Sequence, residues 1–406
     1  MSIEAALRQR AERLAPALAE VVRGAAERVP GFAARLAEAG TDVDEVCGSP
    51  SLSALPVLSK DELVERQQAD PPHGGLLAPD AQVARWFQSP GPLYEPQLVG
   101  ADWRWGQALG DLGVGEGDIV LNCFGYHLSP AGAMFEHGAH AVGAAVVAGG
   151  IGNQELQARA IGDLGVTAYT GLPSYLKALT EHYDKAGLPT ENWRLERALV
   201  TAEPLPDSLR ELLTQRVPHV RMAYGTGETG LLAWEPAEEE PGNGLILAAG
   251  VDVQVCAIGT GEPLMDGTEG EVVVTLFRPD YPLIRFGTGD LSAWMLGPDG
   301  SPRLKGVLGR VGAAVKVKGM FLHPRQVTSV MDGVSGVADY RFAIDRVDHV
   351  DQLTCLVVAD GSVPAEELAS SLATRIREGL RFRIQVQVVD DLGEGEGPMV
   401  DRRDWS

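Results

Sequence analysis

Residues 197–228 read RALVTAEPLPDSLRELLTQRVPHVRMAYGTGE. The apolar run at 197–202 predicts a strand, a helix is predicted from Asp207, and the run at 220–224 predicts a second strand. Two strands joined by a helix over about 30 residues form a βαβ unit, and such units place their strands parallel in one sheet. The stretch therefore indicates an α/β fold.

The same alternation extends upstream to about residue 103. Strands are predicted at 118–124, 144–148 and 166–170, with helices after Pro130, from Gln154 and from Pro173. An N-terminal helix is predicted at 2–28, with Ser2 as its N-cap. We therefore expect mainly parallel sheets flanked by helices.

The pattern changes after Glu228. Short β-rich runs follow at 251–257, 271–277 and 291–296, and the last hundred residues predict strands at 339–344 and 352–358, a helix at 365–380 and a strand at 383–389. The expected α/β architecture is a large N-terminal domain, 1–308, with mainly parallel sheets plus a smaller β-rich layer. A small α+β C-terminal lid domain, 309–406, follows it.

Composition narrows the class of protein. The 406 residues are 45% hydrophobic and carry a formal net charge of −22, which disfavours binding to a nucleic-acid backbone. No apolar run approaches the roughly 20 residues of a membrane span, and no signal peptide precedes the first helix. We expect a cytoplasmic protein without a membrane or nucleic-acid partner, and a homodimer is the default assembly.

Several short motifs occur in a fixed order along the chain. They are LPVLSKDEL (55–63), NCFGYH (122–127), AEP (202–204), YGTGE (224–228), RFGTGDL (285–291) and GR (309–310), followed by VKG (317–319) and HP (323–324). Each motif alone is weak, but the ordered set resembles the phenylacetate-coenzyme A ligase branch of the acyl-adenylate-forming superfamily. The resemblance spans nearly the whole chain.

The resemblance implies an acid-activating enzyme. ATP or AMP, Mg²⁺ and coenzyme A are the implied cofactors, and a hydrophobic, aromatic carboxylic acid or its acyl thioester is the implied small-molecule partner. The implied site comprises Glu228 on Mg²⁺, Asp290 and Arg310 on ribose, Tyr224, Gly225 and Thr226 around adenine, and Lys318 on coenzyme A, with Glu228 and Arg310 as catalytic residues. The implied acyl pocket comprises Phe124, Tyr126, His127, Ala202, Glu203 and Pro204.

Each nucleotide-site residue also has a simpler interpretation. Asp290 can accept two hydrogen bonds from a ribose diol, or it can stabilise a turn. Arg310 can hold ribose or phosphate, or it can form an interdomain salt bridge. Glu228 can bind Mg²⁺, or it can cap the N-terminus of a helix. Tyr224 can stack on adenine, or it can belong to the core.

Three departures from the family pattern concern the phosphates. The phosphate loop reads SPGPLYEP (89–96), so prolines replace amide donors and Glu95 brings a negative charge. Gly227 of the YGTGE motif stands where the family pattern has a residue with a hydroxyl group. The segment GEGEGPMV (393–400) lacks the family's lysine. Arg402 or Arg403 is a candidate replacement. The alternative function is therefore a degenerate homologue, either an acyl- or coenzyme A-binding protein or an acyltransferase; a structural partner subunit is a third.

Other reactive or aromatic side chains each have a structural interpretation beside a functional one. His137 and His140, with Glu136, could meet one metal ion, but paired surface histidines are commoner. Cys123 is expected to be a packed thiol rather than a nucleophile. The aromatic residues Trp86, Phe87, Phe124, Tyr126 and Phe135 fit either an aryl pocket or the core. Lys316, like Lys318, fits either a coenzyme A contact or a solvated strand edge.

Overall fold

The computed structural model describes residues 2–88, 93–311, 315–318, 320–322, 324–348, 350–380, 382, 384–393, 395 and 397–403. The chain divides into two compact units, Met1–Val311 and Gly312–Ser406, which are described separately. Four of the phosphate-loop residues (89–92), Gly319, His323, Glu394 and Glu396 lie outside the described residues.

The first unit contains both helices and strands. Its helices are α1 (Ile3–Arg28), α2 (Pro30–Ala39), α3 (Val43–Gly48), α4 (Lys60–Ala69), α5 (Trp105–Asp111), α6 (Ala131–Ala141), α7 (Gln154–Leu164), α8 (Pro173–Lys185) and α9 (Asp207–Thr214). Short 3-10 helices occur at Pro50–Leu52 and Thr190–Asn192. Its strands are β1 (Val83–Gln88), β2 (Tyr94–Leu98), β3 (Ile119–Asn122), β4 (Ala145–Ala148), β5 (Ala168–Gly171), β6 (Arg197–Val200), β7 (His219–Thr226), β8 (Gly230–Trp234), β9 (Ile246–Leu247), β10 (Val251–Cys256), β11 (Gly270–Leu276), β12 (Phe286–Ser292), β13 (Trp294–Leu296), β14 (Pro302–Leu304) and β15 (Gly309–Arg310).

The largest sheet has the strand order β4-β3-β5-β6-β7-β8-β9. Its strands from β4 to β7 are parallel, and β8 and β9 join antiparallel. The predicted parallel α/β sheet is therefore confirmed, with strand ends displaced by a few residues. The carboxyl ends of the parallel strands share one edge, where ligands gather in such sheets.

The helices that cover this sheet follow from apolar spacing. In α9, Leu209 and Leu213 lie four residues apart on one helix face, and both are fully buried. Burial of a leucine side chain contributes about 1.5–3 kcal/mol. At the chain start, Ser2 caps α1 as predicted, because its side-chain oxygen accepts from the amide of Ala5 at 3.2 Å.

A second sheet has the order β10-β11-β12-β15 and supplies the smaller β-rich layer. The expected single strand at 291–296 is wrong, because β12 ends at Ser292 and the chain turns into β13, which pairs with β14 instead. The pairing of β11 with β12 shifts register between Glu271 and Val273, and Gly289 lies opposite this shift with φ +75°. This is a β-bulge, and bulges redirect side chains at functional sites.

The second unit is an α+β structure. It comprises β16 (Val315–Val317), β17 (Met320–Leu322), α10 (Pro324–Met331), β18 (Val337–Val347), β19 (Val350–Ala359), α11 (Ala365–Leu380), β20 (Gln385–Val388) and β21 (Met399–Asp401). Its larger sheet has the order β20-β19-β18-β21. In the described part of the chain, no helix is both long and apolar enough to cross a bilayer.

Candidate active site

A hydrogen-bonded group of side chains surrounds Asp290 in the first unit. One carboxylate oxygen lies 2.9 Å from Nε of Arg310, and the other accepts from the Tyr224 hydroxyl at 3.0 Å. The Tyr224 hydroxyl also lies 3.1 Å from Oγ1 of Thr288. We call Tyr224, Thr288, Asp290 and Arg310 the Asp290 cluster. It brings together three residues that the sequence placed on one nucleotide.

Strand pairing builds the Asp290 cluster. Asp290 was expected in a turn, but it lies in β12 and pairs directly with Arg310 in β15. Gly289 forms a β-bulge, and a glycine at this place in the sequence is also typical of a turn, which explains the error. Arg310 was weighed as an interdomain salt bridge, but it pairs with Asp290 inside the first unit. Both side chains are nearly buried, so the ion pair is well shielded from solvent.

Tyr224 lies at the interior of the first unit. Its side chain is 6% exposed and belongs to the main core, as the simpler interpretation stated. Burial raises the pKa of Tyr224 well above its ordinary value, and the neighbouring Asp290 raises it further, so the hydroxyl remains a donor. Gly225 and Thr226 complete β7, and a Cβ at Gly225 would lie only 2.9 Å from the Trp105 ring.

A second group of side chains surrounds Glu228. The Nζ of Lys60 lies 2.7 Å from a carboxylate oxygen of Glu228, whose side chain is almost fully buried. The alternative interpretation of Glu228 as a carboxylate at a helix N-terminus is wrong, because Glu228 lies in the tight turn between β7 and β8. We call Lys60, Glu95, Gly227 and Glu228 the Glu228 cluster.

Two opposing effects act on the Glu228 carboxyl. Burial would raise its pKa, but the charge of Lys60, the hydrogen bond from Lys60 and a hydrogen bond from Thr226 outweigh burial. The pKa of Glu228 is therefore below its ordinary value, and the group is an anion at neutral pH. An ionised, buried carboxylate is a suitable ligand for a hard cation.

Glu95 completes the Glu228 cluster from β2. A Cβ placed on Gly227 would lie 2.8 Å and 3.0 Å from the two carboxylate oxygens of Glu95. Glu95 is buried, and together with Glu228 it raises the pKa of Tyr281 beyond the effect of burial. The negative charge predicted from the sequence of the phosphate loop is thus inside the site, next to the predicted metal ligand.

Two backbone attachments hold the Glu228 cluster in place. Leu58 forms a parallel bridge to Phe286, with its amide donating to the carbonyl of Arg285 at 2.8 Å, and this fixes the segment that leads to Lys60. The buried side chain of Gln67 in α4 bonds both the amide and the carbonyl of Tyr94 at 2.8 Å. The side chain of Gln67 therefore pairs with the backbone of Tyr94 as a neighbouring strand would. This pairing fixes the position of Glu95, the next residue.

The first part of the predicted acyl pocket is organised by Asn122 at the end of β3. Its side-chain amide donates to the Tyr126 hydroxyl and to the carbonyl of Gly132, both at 2.8 Å. Phe124 is buried and stacks on Phe135 with ring centroids 4.5 Å apart. These rings belong to the core, whereas Tyr126 is half-buried and His127 is exposed.

The second part of the predicted pocket follows β6. Ala202 adopts a left-handed backbone with φ +72°, and Pro204 is exposed. Glu203 between them is buried and accepts a hydrogen bond from the Ser174 hydroxyl at 2.5 Å. Both pocket segments lie at the carboxyl ends of parallel strands of one sheet.

Among the basic residues of the second unit, the side chains of Arg341 and Arg403 have structural partners. The amide of Lys318 donates to Asp351 at 3.2 Å, and its side chain is exposed. Arg403, a candidate replacement for the missing lysine, forms ion pairs with Asp351 at 3.1 Å and Asp401 at 2.6 Å. Arg341 donates to the carbonyls of Leu392, Gly393 and Gly397, which fixes Gly393 and Gly397 of the segment that lacks the lysine.

The remaining groups have ordinary environments. Cys123 is buried, and burial raises the pKa of its thiol, which confirms the prediction of a packed cysteine. His137 packs edge-on against Trp103 with its Nδ1 3.6 Å from Asp102. Within the described ranges, no three His, Cys, Asp or Glu side chains are grouped as metal ligands would be.

Comparisons with known proteins agree with this architecture. Residues 102–275 match the family model described as "AMP-binding enzyme". The chain is 28% identical to phenylacetate-coenzyme A ligase of Thermus thermophilus over 395 residues, which cover 90% of this chain and 86% of the relative. It is 25% identical to the Pseudomonas putida phenylacetate-coenzyme A ligase over 98% of this chain and 93% of that one.

The chain is similar to phenylacetate-coenzyme A ligases over nearly its whole length, and its middle part matches the AMP-binding enzyme family. A crystal structure of 2-hydroxyisobutyryl-CoA ligase in complex with 2-HIB-AMP and CoA superposes on this ligase-like chain with a TM-score of 0.88. The two are 21% identical, and the match covers 98% of this chain and 91% of that structure, which shows a common fold.

The relatives support the class of AMP-forming acid-coenzyme A ligases for this phenylacetate-coenzyme A ligase-like chain, and they do not favour the degenerate alternative. Sequence reasoning missed the roles of Lys60, Gln67 and Thr288. Lys60 lies inside a motif that the sequence had already singled out, so its charge was an available signal. No sequence signal pairs Gln67 with Tyr94, because that contact joins α4 to β2.

Proposed function

We propose that this chain joins a hydrophobic, aromatic carboxylic acid to AMP and transfers the acyl group to coenzyme A. The observation that carries this proposal is the Asp290 cluster. An ionised carboxylate has about four acceptor positions, and the contacts with Arg310 and Tyr224 use two of them. The remaining capacity suits the two hydroxyl groups of a ribose.

Glu228 is the proposed ligand of Mg²⁺. It supplies one buried, ionised carboxylate, and Mg²⁺ in phosphate-handling sites commonly uses one or two carboxylates together with substrate phosphates. The ion would need the place that the Lys60 ammonium takes 2.7 Å from Glu228. When bound, Mg²⁺ neutralises phosphate charge; Lys60, once released, is a cation beside the same phosphates.

The proposed reaction has two steps. In the first, a carboxylate oxygen of the acid attacks the α-phosphorus of ATP, a P–O bond forms, and pyrophosphate leaves. In the second, the coenzyme A thiol loses its proton to water as its sulfur attacks the acyl carbon, and AMP leaves with the shared oxygen. Arg310 stabilises negative charge on the nucleotide through its guanidinium, and Glu228 would hold the Mg²⁺ that neutralises the phosphates. Lys318 in the proposed lid unit is assigned to a coenzyme A phosphate.

The acid is assigned to the region around Tyr126 and Ala202. Tyr126 is fixed by Asn122 and half-buried, so its ring can contact an aryl group, and the neighbouring Phe124 and His127 are assigned to the same pocket. Glu203, flanked by Ala202 and Pro204, is buried at the end of β6 and closes the other side. We also propose a cytoplasmic location and a homodimer for this enzyme.

The test is ATP–pyrophosphate exchange with a panel of aryl and alkyl acids, combined with calorimetry for ATP, AMP and acyl-coenzyme A. The expected result is exchange that depends on an aryl acid and on Mg²⁺. Absence of exchange together with binding of an acyl-coenzyme A would contradict the proposal and favour an acyltransferase. If neither nucleotides nor thioesters bound, the whole class of activity would be excluded.

A further inference from the structure

The carboxylate of Asp351 joins three segments of the second unit. One oxygen accepts from the backbone amide of Lys318 at 3.2 Å and from Nη1 of Arg403 at 3.1 Å. The other oxygen accepts from Nη1 of Arg346 at 3.1 Å. An ionised carboxylate has about four acceptor positions, so these contacts use most of its capacity. Asp351 therefore connects Lys318 to the chain that follows β21.

The charged side chains of this group are shielded from solvent. Those of Asp351, Arg346 and Arg403 are 2%, 4% and 6% exposed. Burial would lower the pKa of Arg403, but its hydrogen bond to Asp401 and the charge of Asp351 outweigh burial, so the pKa is raised. Ion pairs in such a setting are screened much less than pairs on the surface, which favours one fixed geometry.

Arg403 is attached to the fold at two places. Its Nε and Nη2 donate to the two carboxylate oxygens of Asp401 at 2.8 Å and 2.6 Å, while its Nη1 reaches Asp351. Asp401 belongs to β21, which pairs with β18 in the larger sheet of this unit. A guanidinium presents its donors in a rigid fork, so one side chain can bridge two carboxylates in a defined direction. The ammonium of a lysine is a point charge and would not reproduce this bridge.

The connection between β16 and β17, which we call the Lys318 turn, needs such support. The pairing of Val317 with Met320 leaves only two residues in it, and Lys318 is the first. Lys318 has φ +49°, a left-handed conformation that is uncommon for residues other than glycine. The strand pairing supplies no acceptor for the Lys318 amide, and Asp351 provides one. The side chain of Lys318 is exposed, so it is presented to solvent from a fixed backbone.

We infer that Arg403 is a positioning residue that holds the Lys318 turn through Asp351, and that it does not replace the lysine missing from the segment 393–400. This inference rests on the proposed function, in which Lys318 contacts a coenzyme A phosphate. The guanidinium of Arg403 is directed at Asp351 and Asp401, whereas a replacement for the family's lysine would act on the α-phosphate. The two roles therefore affect different steps, thioester formation in the first case and adenylation in the second.

The experiment measures ATP–pyrophosphate exchange and thioester formation separately, with the aryl acid that gives the fastest exchange. The proteins compared are the wild type, Arg403→Gln and Arg377→Gln. Arg377 is exposed on α11 and controls for the loss of one positive charge in the same unit. We expect Arg403→Gln to raise the KM for coenzyme A at least about fivefold and to change exchange by less than about twofold. Arg377→Gln should change neither quantity.

A double-mutant cycle tests whether Arg403 acts through Lys318. Lys318→Ala should itself raise the KM for coenzyme A, and adding Arg403→Gln should raise it no further. A general loss of folding stability would act equally in both backgrounds, and that result would contradict the inference. If Arg403→Gln does not fold, Arg403→Lys carries the same test, because it keeps the charge but cannot bridge the two carboxylates.

The remaining outcomes separate the two roles of Arg403. A folded Arg403→Gln protein whose exchange falls by about 100-fold or more would overturn the inference and assign Arg403 to adenylation. An unchanged KM for coenzyme A together with unchanged exchange would also overturn it, while leaving the proposed function intact. Absence of exchange, of thioester formation and of coenzyme A binding in the wild type would overturn the proposed function and this inference with it.

Discussion

The Asp290 cluster and the Glu228 cluster are both built around a buried carboxylate, yet their surroundings differ. Asp290 meets the guanidinium of Arg310 from its neighbouring strand β15 and the phenol hydroxyl of Tyr224 from the other sheet, so its charge is balanced and strand pairing fixes the position of Arg310. Glu228 meets an ammonium from α4, and a second carboxylate is inserted beside it from β2. The first arrangement suits a neutral diol, and the second makes affinity for phosphates depend on which charges are present.

The largest expected effect concerns the balanced cluster. Asp290→Asn removes the charge that strengthens hydrogen bonds to a ribose, so AMP and ATP should both bind about 100-fold more weakly. Calorimetry with each nucleotide measures the change, and the exposed Asp163→Asn serves as the control. A loss confined to ATP would contradict the assignment of Asp290 to ribose, because ribose is common to both ligands.

Lys60→Met tests whether the second cluster depends on its single ammonium. Lys60 holds the pKa of Glu228 below 4.5 against the opposing effect of burial. The pair therefore stabilises the wild type above that pH, and the contribution is lost as the pH falls through the lowered pKa. In the variant the charge and the hydrogen bond of Lys60 no longer oppose burial, so the pKa of Glu228 is higher than in the wild type and the stabilisation above that pH is reduced.

The difference in unfolding free energy between wild type and Lys60→Met should therefore grow from about pH 4 to pH 7, reaching roughly 2–3 kcal/mol. Urea denaturation at several pH values measures it. Lys177→Met, which breaks the surface pair with Glu181, should cost less than about 0.5 kcal/mol at any pH. A deficit for Lys60→Met that does not change with pH would show that Glu228 is not the linked group.

Gln67→Ala tests the attachment of β2 to α4. Removing two part-buried hydrogen bonds to the Tyr94 backbone should cost about 2 kcal/mol in urea unfolding. Gln107 makes the same pair of contacts with the backbone of Ala249, but in an exposed setting, so Gln107→Ala should cost distinctly less. Tyr94 belongs to the segment that the resemblance assigns to the phosphates, so Gln67→Ala should change the affinity for ATP more than the affinity for AMP. Equal changes in the two affinities would contradict that assignment.

Tyr224→Phe gives the smallest effect. It removes one hydroxyl that donates to Asp290, at a cost of about 1 kcal/mol, or roughly a fivefold loss of AMP affinity. Tyr183→Phe removes a comparable hydrogen bond to the Pro189 carbonyl, away from both clusters, and should leave AMP affinity unchanged. Equal behaviour of the two variants in AMP binding would mean that Tyr224 acts only on stability.

Local patterns in the sequence determined most of the secondary structure and the fold class of this protein. The alternation of apolar runs with helical patterns predicted the parallel sheet, because strand and helix periods are properties of neighbouring residues. The ordered motifs pointed to the ligase class and to Asp290, Arg310 and Tyr224, which the structure brings together. The position of Asp290 in a strand was missed, since a bulge with a glycine reads like a turn.

Only the tertiary structure decided which charges meet. Lys60 and Glu228 are separated by 168 residues, and Glu95 reaches Gly227 across a comparable distance in sequence, so no local pattern links them. Their pairing depends on how α4, β2 and the turn after β7 pack, which is set by the bridge from Leu58 and the clamp from Gln67. Local periodicity therefore gives the elements, whereas the balance of buried charges exists only once those elements are assembled.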